Sequence, residues 1–383
     1  MIYIVLLFLL FISSVAEAYA KLESEKKIAY LLRYTSFIFM FCLAAFRYET
    51  GGDWPGYKGI YDGGRENVES GFMVIVQFAR LIGHYQYILI FTMILRYICL
   101  YIFIKNYCLK VLNNFSLFLL IYYCMFYFHD DFISIRQCLA CSIFLLCYCS
   151  KNKISFKKYL IIVLLASTVH VSSIVFIIFY PFIFKVSSKK MIIFTFVILC
   201  MSVLSIDLIK NIIKILYGVL PSNFILTMAY QYCFNPAIGF KRKLTGQSYV
   251  YIFLFIMLIT QQIKIFSKKS VNTYINSICL FYMFYFGLIN YFVISLRFCM
   301  FVNLFIVLYV ASLISENLRK NILISAVLLL LAFAFNKNIF LMDNSARAYL
   351  PYQNYYISTA LGLPSDGLKR LSSLESNEHL KKE

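Results

Sequence analysis

Apolar runs close to the width of a membrane recur along almost the whole chain, and short loops carrying Lys and Arg separate them. A helix needs roughly 20 apolar residues to cross the hydrocarbon core of a bilayer. On that rule the chain is expected to span near 1–16, 28–46, 86–104, 114–128, 132–149, 191–206, 248–266, 273–292, 298–314 and 321–335. The fold class expected is an all-α polytopic membrane protein of about 10–12 transmembrane helices. Residues 1–360 read as one helical bundle and 361–383 as a polar, loose tail. There is no internal repeat and no low-complexity segment.

Composition supports the bilayer as the solvent. The chain is 62% hydrophobic and 14% charged, against roughly 45–50% and about 25% in soluble domains. A net charge of +19 would suit nucleic acid, but the bases lie mostly in short loops and no soluble domain is present to hold a groove. The positive-inside rule explains them. Lys21, Lys26, Lys27 and Arg33, then Lys105 and Lys110, then Lys151, Lys153, Lys157 and Lys158 mark one side. Lys185, Lys189, Lys190, Lys264, Lys268, Lys269, Arg319 and Lys320 continue the pattern, so that side is expected to face the cytoplasm. The first 20 residues carry Ala16-Glu17-Ala18, which looks like a cleavage site, but no basic n-region precedes it, so a retained span is expected. Twelve Cys lie almost entirely in apolar runs. Cys138-x-x-Cys141 and Cys147-x-Cys149 fall on one apolar stretch without a closed polar shell, and read as small hydrophobes rather than a zinc site.

Three polar stretches lie on the opposite side: 47–70, 207–247 and 336–360. The first, RYETGGDWPGYKGIYDGGRENVES, has the Gly pairs that tight turns use. Within the second, LIKNIIKILYGVL reads as an interfacial helix. One apolar stretch, 159–184, is flanked by bases at both ends. A single crossing would put Lys185, Lys189 and Lys190 on the far side, whereas a re-entrant pair of half-helices would keep both flanks inside. Its tip would be Ser167–Ser173, with His170 near mid-membrane. Backbone that leaves the helix at that depth must be buried in protein or line a wet cavity.

Ionisable groups inside a membrane are costly and mark function by default. Four clusters stand out. The insert holds Arg47, Glu49, Asp53, Tyr57, Tyr61 and Glu69. Arg136-Gln137 follows Asp131, which is expected to cap its helix, and lies about 7.5 Å inward from it. His170 has Ser and Thr neighbours. Arg297 lies between two runs, and Lys241, Arg242 and Lys243 add positive charge. His84 and His129 read as interfacial. Guanidiniums bind phosphate bidentately and stay charged, and a lipid diphosphate is the anion available at that depth. No P-loop and no dinucleotide fingerprint occur, so no nucleotide cofactor is expected. Asp130-Asp131 alone is too sparse for a metal.

These pieces in this order resemble the EpsG-like branch of the Wzy-type bacterial polysaccharide polymerases. The resemblance rests on Phe46-Arg47-Tyr48 with Gly52-Asp53 and Tyr57, Glu69-Ser70-Gly71-Phe72, Ile135-Arg136-Gln137, Val169-His170 before a serine pair, Ser295-Leu296-Arg297, and Pro351-Tyr352-Gln353-Asn354-Tyr355. A common form of the insert has Pro after the Glu, where this chain has Ser70. The resemblance implies a glycosyltransferase of the bacterial inner membrane with its site toward the periplasm. It would move a growing glycan from undecaprenyl diphosphate to the non-reducing-end sugar hydroxyl of a lipid-linked repeat unit. Its partners would be those lipid-linked glycans, membrane lipids and a chain-length regulator. Neither metal, cofactor nor nucleic acid is expected. Arg136 and Arg297 would hold the leaving diphosphate, with Arg47 as a third candidate, and His170 or Asp53 would accept the hydroxyl proton. Tyr57, Glu69, Gln137 and Tyr352 would bind substrate. The competing readings are an O-antigen ligase, which shares the donor, a lipid-linked oligosaccharide flippase, which needs no one-sided insert, and a membrane acyltransferase, whose donor is usually cytoplasmic.

Overall fold

A computed structural model describes residues 2–64, 68–150, 154–204, 206, 208–221, 227, 230–231, 234, 244–262, 272–318, 330 and 348–370. The all-α expectation holds, with no strand among the described residues beyond one isolated bridge between Arg47 and Asn354. The expected span 321–335 and Lys241, Arg242 and Lys243 lie outside the described residues. The chain falls into two compact units, Met1–Ile177 with Val307–Glu383, and Ile178–Ile306.

In the first unit, α1 (Ile2–Tyr19) packs on α2 (Glu23–Ala45) and on α6 (Phe115–Met125). The insert folds into the short α3 (Trp54–Tyr61) and feeds α4 (Ser70–Ile82), which lies on α5 (Gln86–Asn106). A six-residue helix, α7 (Tyr127–Phe132), turns the chain into α8 (Ile135–Leu145). That helix packs on α5 and on α9 (Phe156–Val169). Local chemistry explains the ends. Asn114 Oδ1 accepts from Leu117 N–H at 2.7 Å to start α6, satisfying one of the donors a helix start leaves over. The last carbonyls of α3 receive the Arg80 guanidinium from α4, Nε to Tyr61 O at 2.8 Å and Nη2 to Ile60 O at 2.9 Å. Gly83 closes α4 at φ +96°, a conformation that suits glycine.

The second unit contains α10 (Tyr180–Phe184), α11 (Ser188–Val203) and α12 (Leu208–Val219), then helices Gly246–Gln262, Thr273–Gly287 and Phe292–Cys299. α11 lies along Thr273–Gly287. Buried Asn276 ties them together, accepting from Ser188 Oγ at 2.9 Å and donating to the carbonyls of Phe182 and Val186, each at 2.9 Å.

Among the described residues three helices are long and apolar enough to cross a bilayer: Ile2–Tyr19, Glu23–Ala45 and Gln86–Lys110. A fourth span arises if Val293–Cys299 and Asn303–Glu316, bent by 64°, count as one. Ser70–Ile82, Phe115–Met125, Ile135–Tyr148, Val171–Phe184 and Gly246–Gln261 are apolar but shorter. The runs expected at 114–128 and 132–149 form α-helices of 11 residues each, the first with its C-cap at Phe126 and the second passing into a 3-10 turn at Leu146–Tyr148. Helix also stops inside 159–184. His170 is extended at φ −152°, ψ 117°, and a 3-10 segment, Val171–Phe179, leads to α10.

The polar stretches 47–70 and 336–360 are stapled together where described. Tyr48 N donates to Gln353 O at 2.8 Å, Gly51 N to Ala348 O at 3.0 Å, and Tyr355 N to Phe46 O at 2.8 Å. Two expectations change. Asp131 does not cap α8, whose N-cap is Ser134. It turns inward to a buried arginine instead. Residues 363–370, expected to be loose, are docked on the insert through Arg370.

Candidate functional site

The polar insert ends at Glu69, the N-cap of α4. Its carboxylate is where three separate elements meet. Oε2 accepts from Arg136 Nη1 of α8 at 2.9 Å. Oε1 is 3.1 Å from His170 Nδ1 and accepts Val171 N–H at 3.1 Å. The Glu69, Arg136 and His170 side chains retain 18, 24 and 13% of their exposure, so the cluster is enclosed but still open to its surroundings. Burial pushes the Glu69 carboxyl upward, but the bonds from His170, from backbone N–H groups and the charge of Arg136 outweigh it and hold the group down to about 2. Glu69 is therefore a fixed anion at neutral pH.

Backbone packing makes this meeting possible. A Cβ at Gly71 would lie 2.4 Å from Thr168 Oγ1 and 2.9 Å from Thr168 O. Only the absence of that carbon lets the start of α4 reach the end of α9. The Arg136 guanidinium lies over the Phe72 ring at 5.6 Å. Its Nε and the His170 Nε2 are buried with no hydrogen-bond partner among the described residues, as are Ser172 Oγ and Ser173 Oγ. By contrast, Ser167 and Thr168 return their hydroxyls to the carbonyls of Leu164 and Leu165, at 2.7 and 2.8 Å. Buried polar groups are nearly always paired, and these unsatisfied atoms make the break after α9, with Arg136, the candidate site.

The other candidates are placed as follows. Arg47 is 1% exposed. Its guanidinium is engaged by the carbonyls of Ala44, Thr50 and Phe132, the last two at 3.2 and 3.3 Å. Tyr57, also buried, donates to Ile133 O at 3.2 Å. Burial pushes its hydroxyl up to about 12, aided by Asp53 and opposed by Arg136 and Arg47. These two residues from the insert therefore grip the 132–133 link just ahead of Arg136. Asp53 is exposed at the start of α3. Gln137 is buried beside Arg136 in α8. Tyr352 donates to Leu43 O at 3.2 Å and meets Tyr3 edge-on. Arg297 is exposed in the last turn of Phe292–Cys299, within the second unit.

Sequence reasoning missed Arg96, in the middle of α5. It is 1% exposed, and Asp131 is fully buried. Arg96 Nε donates to Asp131 Oδ1 at 2.7 Å and Nη2 to Tyr122 Oη at 2.6 Å, while Nη1 reaches Ser142 Oγ. Tyr97 Oη completes the shell on Asp131 Oδ2 at 3.1 Å. A charged residue within an apolar run was the available signal.

Apolar helices around an enclosed carboxylate–guanidinium–imidazole cluster define a helical membrane protein with a polar site in its bundle. Residues 30–354 match the sequence model of the EpsG family, most of the chain, and the protein belongs to that family. The family is of polysaccharide-polymerase type. No curated protein and no solved structure matches the chain.

Proposed function

We propose that this protein is a polysaccharide polymerase of the bacterial inner membrane, working on its periplasmic face. It transfers a growing glycan from undecaprenyl diphosphate to the non-reducing-end sugar hydroxyl of a lipid-linked repeat unit. The observation that carries this reading is the Glu69 carboxylate holding His170 Nδ1 while His170 Nε2 is buried and unpartnered. A base oriented by a carboxylate, with its other nitrogen unpaired, is the arrangement that general-base catalysis uses.

In this reading Nδ1 carries the proton donated to Glu69. The acceptor hydroxyl oxygen attacks the anomeric carbon of the donor. A glycosidic C–O bond forms as the bond to diphosphate breaks, and the hydroxyl proton passes to His170 Nε2 and then to solvent. The electron pair leaves with undecaprenyl diphosphate. Arg136, one nitrogen committed to Glu69 and Nε open, stabilises that anion. Arg297, in the second unit, stays a candidate cation on the family resemblance alone. Arg47 and Tyr57 act from behind, holding the link that aims Arg136. A re-entrant path for 159–184 is part of this proposal, since it would bring His170 into the membrane from one side.

The test is a glycan size profile from a strain lacking the native gene and supplied with His170→Ala, Arg136→Ala or Arg297→Ala. Arg136→Ala is expected to slow polymerisation by about 10²–10³, and lipid-linked single repeats should accumulate in all three. Long-chain glycan at normal levels in every variant rejects the assignment.

A further inference from the structure

The segment after the helix Tyr355–Ala360 turns back and lays residues 363–370 against the polar insert. Arg370 is 5% exposed. Its Nη1 donates to Pro351 O at 2.9 Å and to Gln353 Oε1 at 3.2 Å. Its Nη2 donates to Glu49 O at 2.9 Å, Tyr48 O at 3.2 Å and Thr50 Oγ1 at 3.4 Å. One fork therefore bridges the two limbs of the staple. The contact is reinforced from both ends, since Asp366 N donates to Gln353 Oε1 at 3.1 Å and Gln353 Nε2 to Pro364 O at 3.3 Å. Residue 367 approaches so closely that a Cβ there would stand 2.6 Å from Glu49 Cβ, so glycine is required.

What the fork holds is a strained turn. Glu49 sits at φ +44°, a region that residues with a side chain rarely occupy. Two residues upstream Arg47 directs its guanidinium to Thr50 O and to Phe132 O. Phe132 lies in the link that leads into Ile135-Arg136. A chain of direct contacts thus runs from Arg370 through 48–50 and Arg47 to the start of the helix that carries Arg136. The match to the family ends at residue 354, before this segment begins.

We propose that residues 363–370 are a strap that sets the insert, with Arg370 as a positioning residue for Arg136 and Glu69; this rests on reading their cluster as the polymerising centre. A bidentate guanidinium spans both limbs, which a single ammonium does not. Hydrogen bonds to a charged group each contribute about 1.5–3 kcal/mol, equivalent to at least a tenfold shift in the opening of the turn.

The experiment uses the full chain in membrane vesicles with Arg370→Ala, Arg370→Lys and a stop after Leu363. Two readouts are taken: the rate of protease cleavage within the insert, and polymer length. Arg370→Ala and the stop are expected to raise cleavage at least about tenfold and to shorten the polymer, with Arg370→Lys between them and wild type. Added guanidinium should restore both readouts to Arg370→Ala but not to the stopped chain, which separates positioning from misfolding. Unchanged cleavage, or a loosened insert with polymer of normal length, overturns the proposal. Because cleavage does not depend on turnover, it still reports on the strap if His170→Ala proves active and the catalytic reading fails.

Discussion

Two enclosed cation–carboxylate clusters among the described residues of the first unit, around Asp131 and around Glu69, are built in opposite ways. Around Asp131 every neighbour is committed, with Arg96, Tyr97, Tyr122 and Ser142 closing a shell from which solvent is excluded. Around Glu69 the carboxylate is equally well bonded, yet His170 Nε2 and Arg136 Nε have no partner among the described residues. A closed network fixes packing, and an open one is ready for a ligand. The comparison teaches that a charge inside a bundle is read by what its remaining atoms do, not by its presence.

Removing one member of the closed pair has the largest expected effect. Asp131→Ala strands a buried guanidinium and is expected to cost about 3–5 kcal/mol, whereas Arg96→Met with Asp131→Leu recovers most of that loss. Thermal melting of detergent-solubilised protein measures both. A fully stable Asp131→Ala protein that makes no polymer would break the comparison, since the closed cluster would then be the chemical one.

In the open cluster the loss falls on rate. Glu69→Gln is expected to slow polymerisation by about 10²–10³, read from the ratio of polymer to single repeats. The Glu69 carboxyl is held at about 2, below its ordinary 4.5. Its contribution to stability is therefore complete above pH 4.5 and fades as pH falls toward 2. The melting difference between wild type and Glu69→Gln should stay constant from pH 7 to 5 and vanish only in strong acid. A difference that disappears by pH 6 would show that the ionised carboxylate is not what holds the cluster.

Ser70→Pro should do least. Residue 70 is the first position of α4, where a missing N–H costs nothing and proline's fixed φ suits the helix. A shift of melting or polymer length beyond about 0.5 kcal/mol would mean that Ser70 itself contributes to the open cluster.

How much was legible depends on the length scale of each signal. The break at His170 was readable because an apolar stretch with bases on both flanks fits a single crossing poorly. Arg136 was readable as a charge within an apolar run. The binding expectations for Arg47 and Tyr352 rested on the family resemblance and residue type, and the structure finds both side chains bonded to backbone carbonyls. Arg96 carried the same signal as Arg136, a charge within an apolar run, but only the packing of α5 against α8 shows that it closes on Asp131.

Hydropathy and loop charge, which are local sums along the chain, determined by themselves that this is a helical membrane protein with a structured polar insert. Only the tertiary structure decided which charges meet. Glu69 finds Arg136 and His170 across 67 and 101 positions, and it does so because Gly71 lets two backbones touch at Thr168. Contacts of that separation depend on how helices pack, and a single sequence does not record packing.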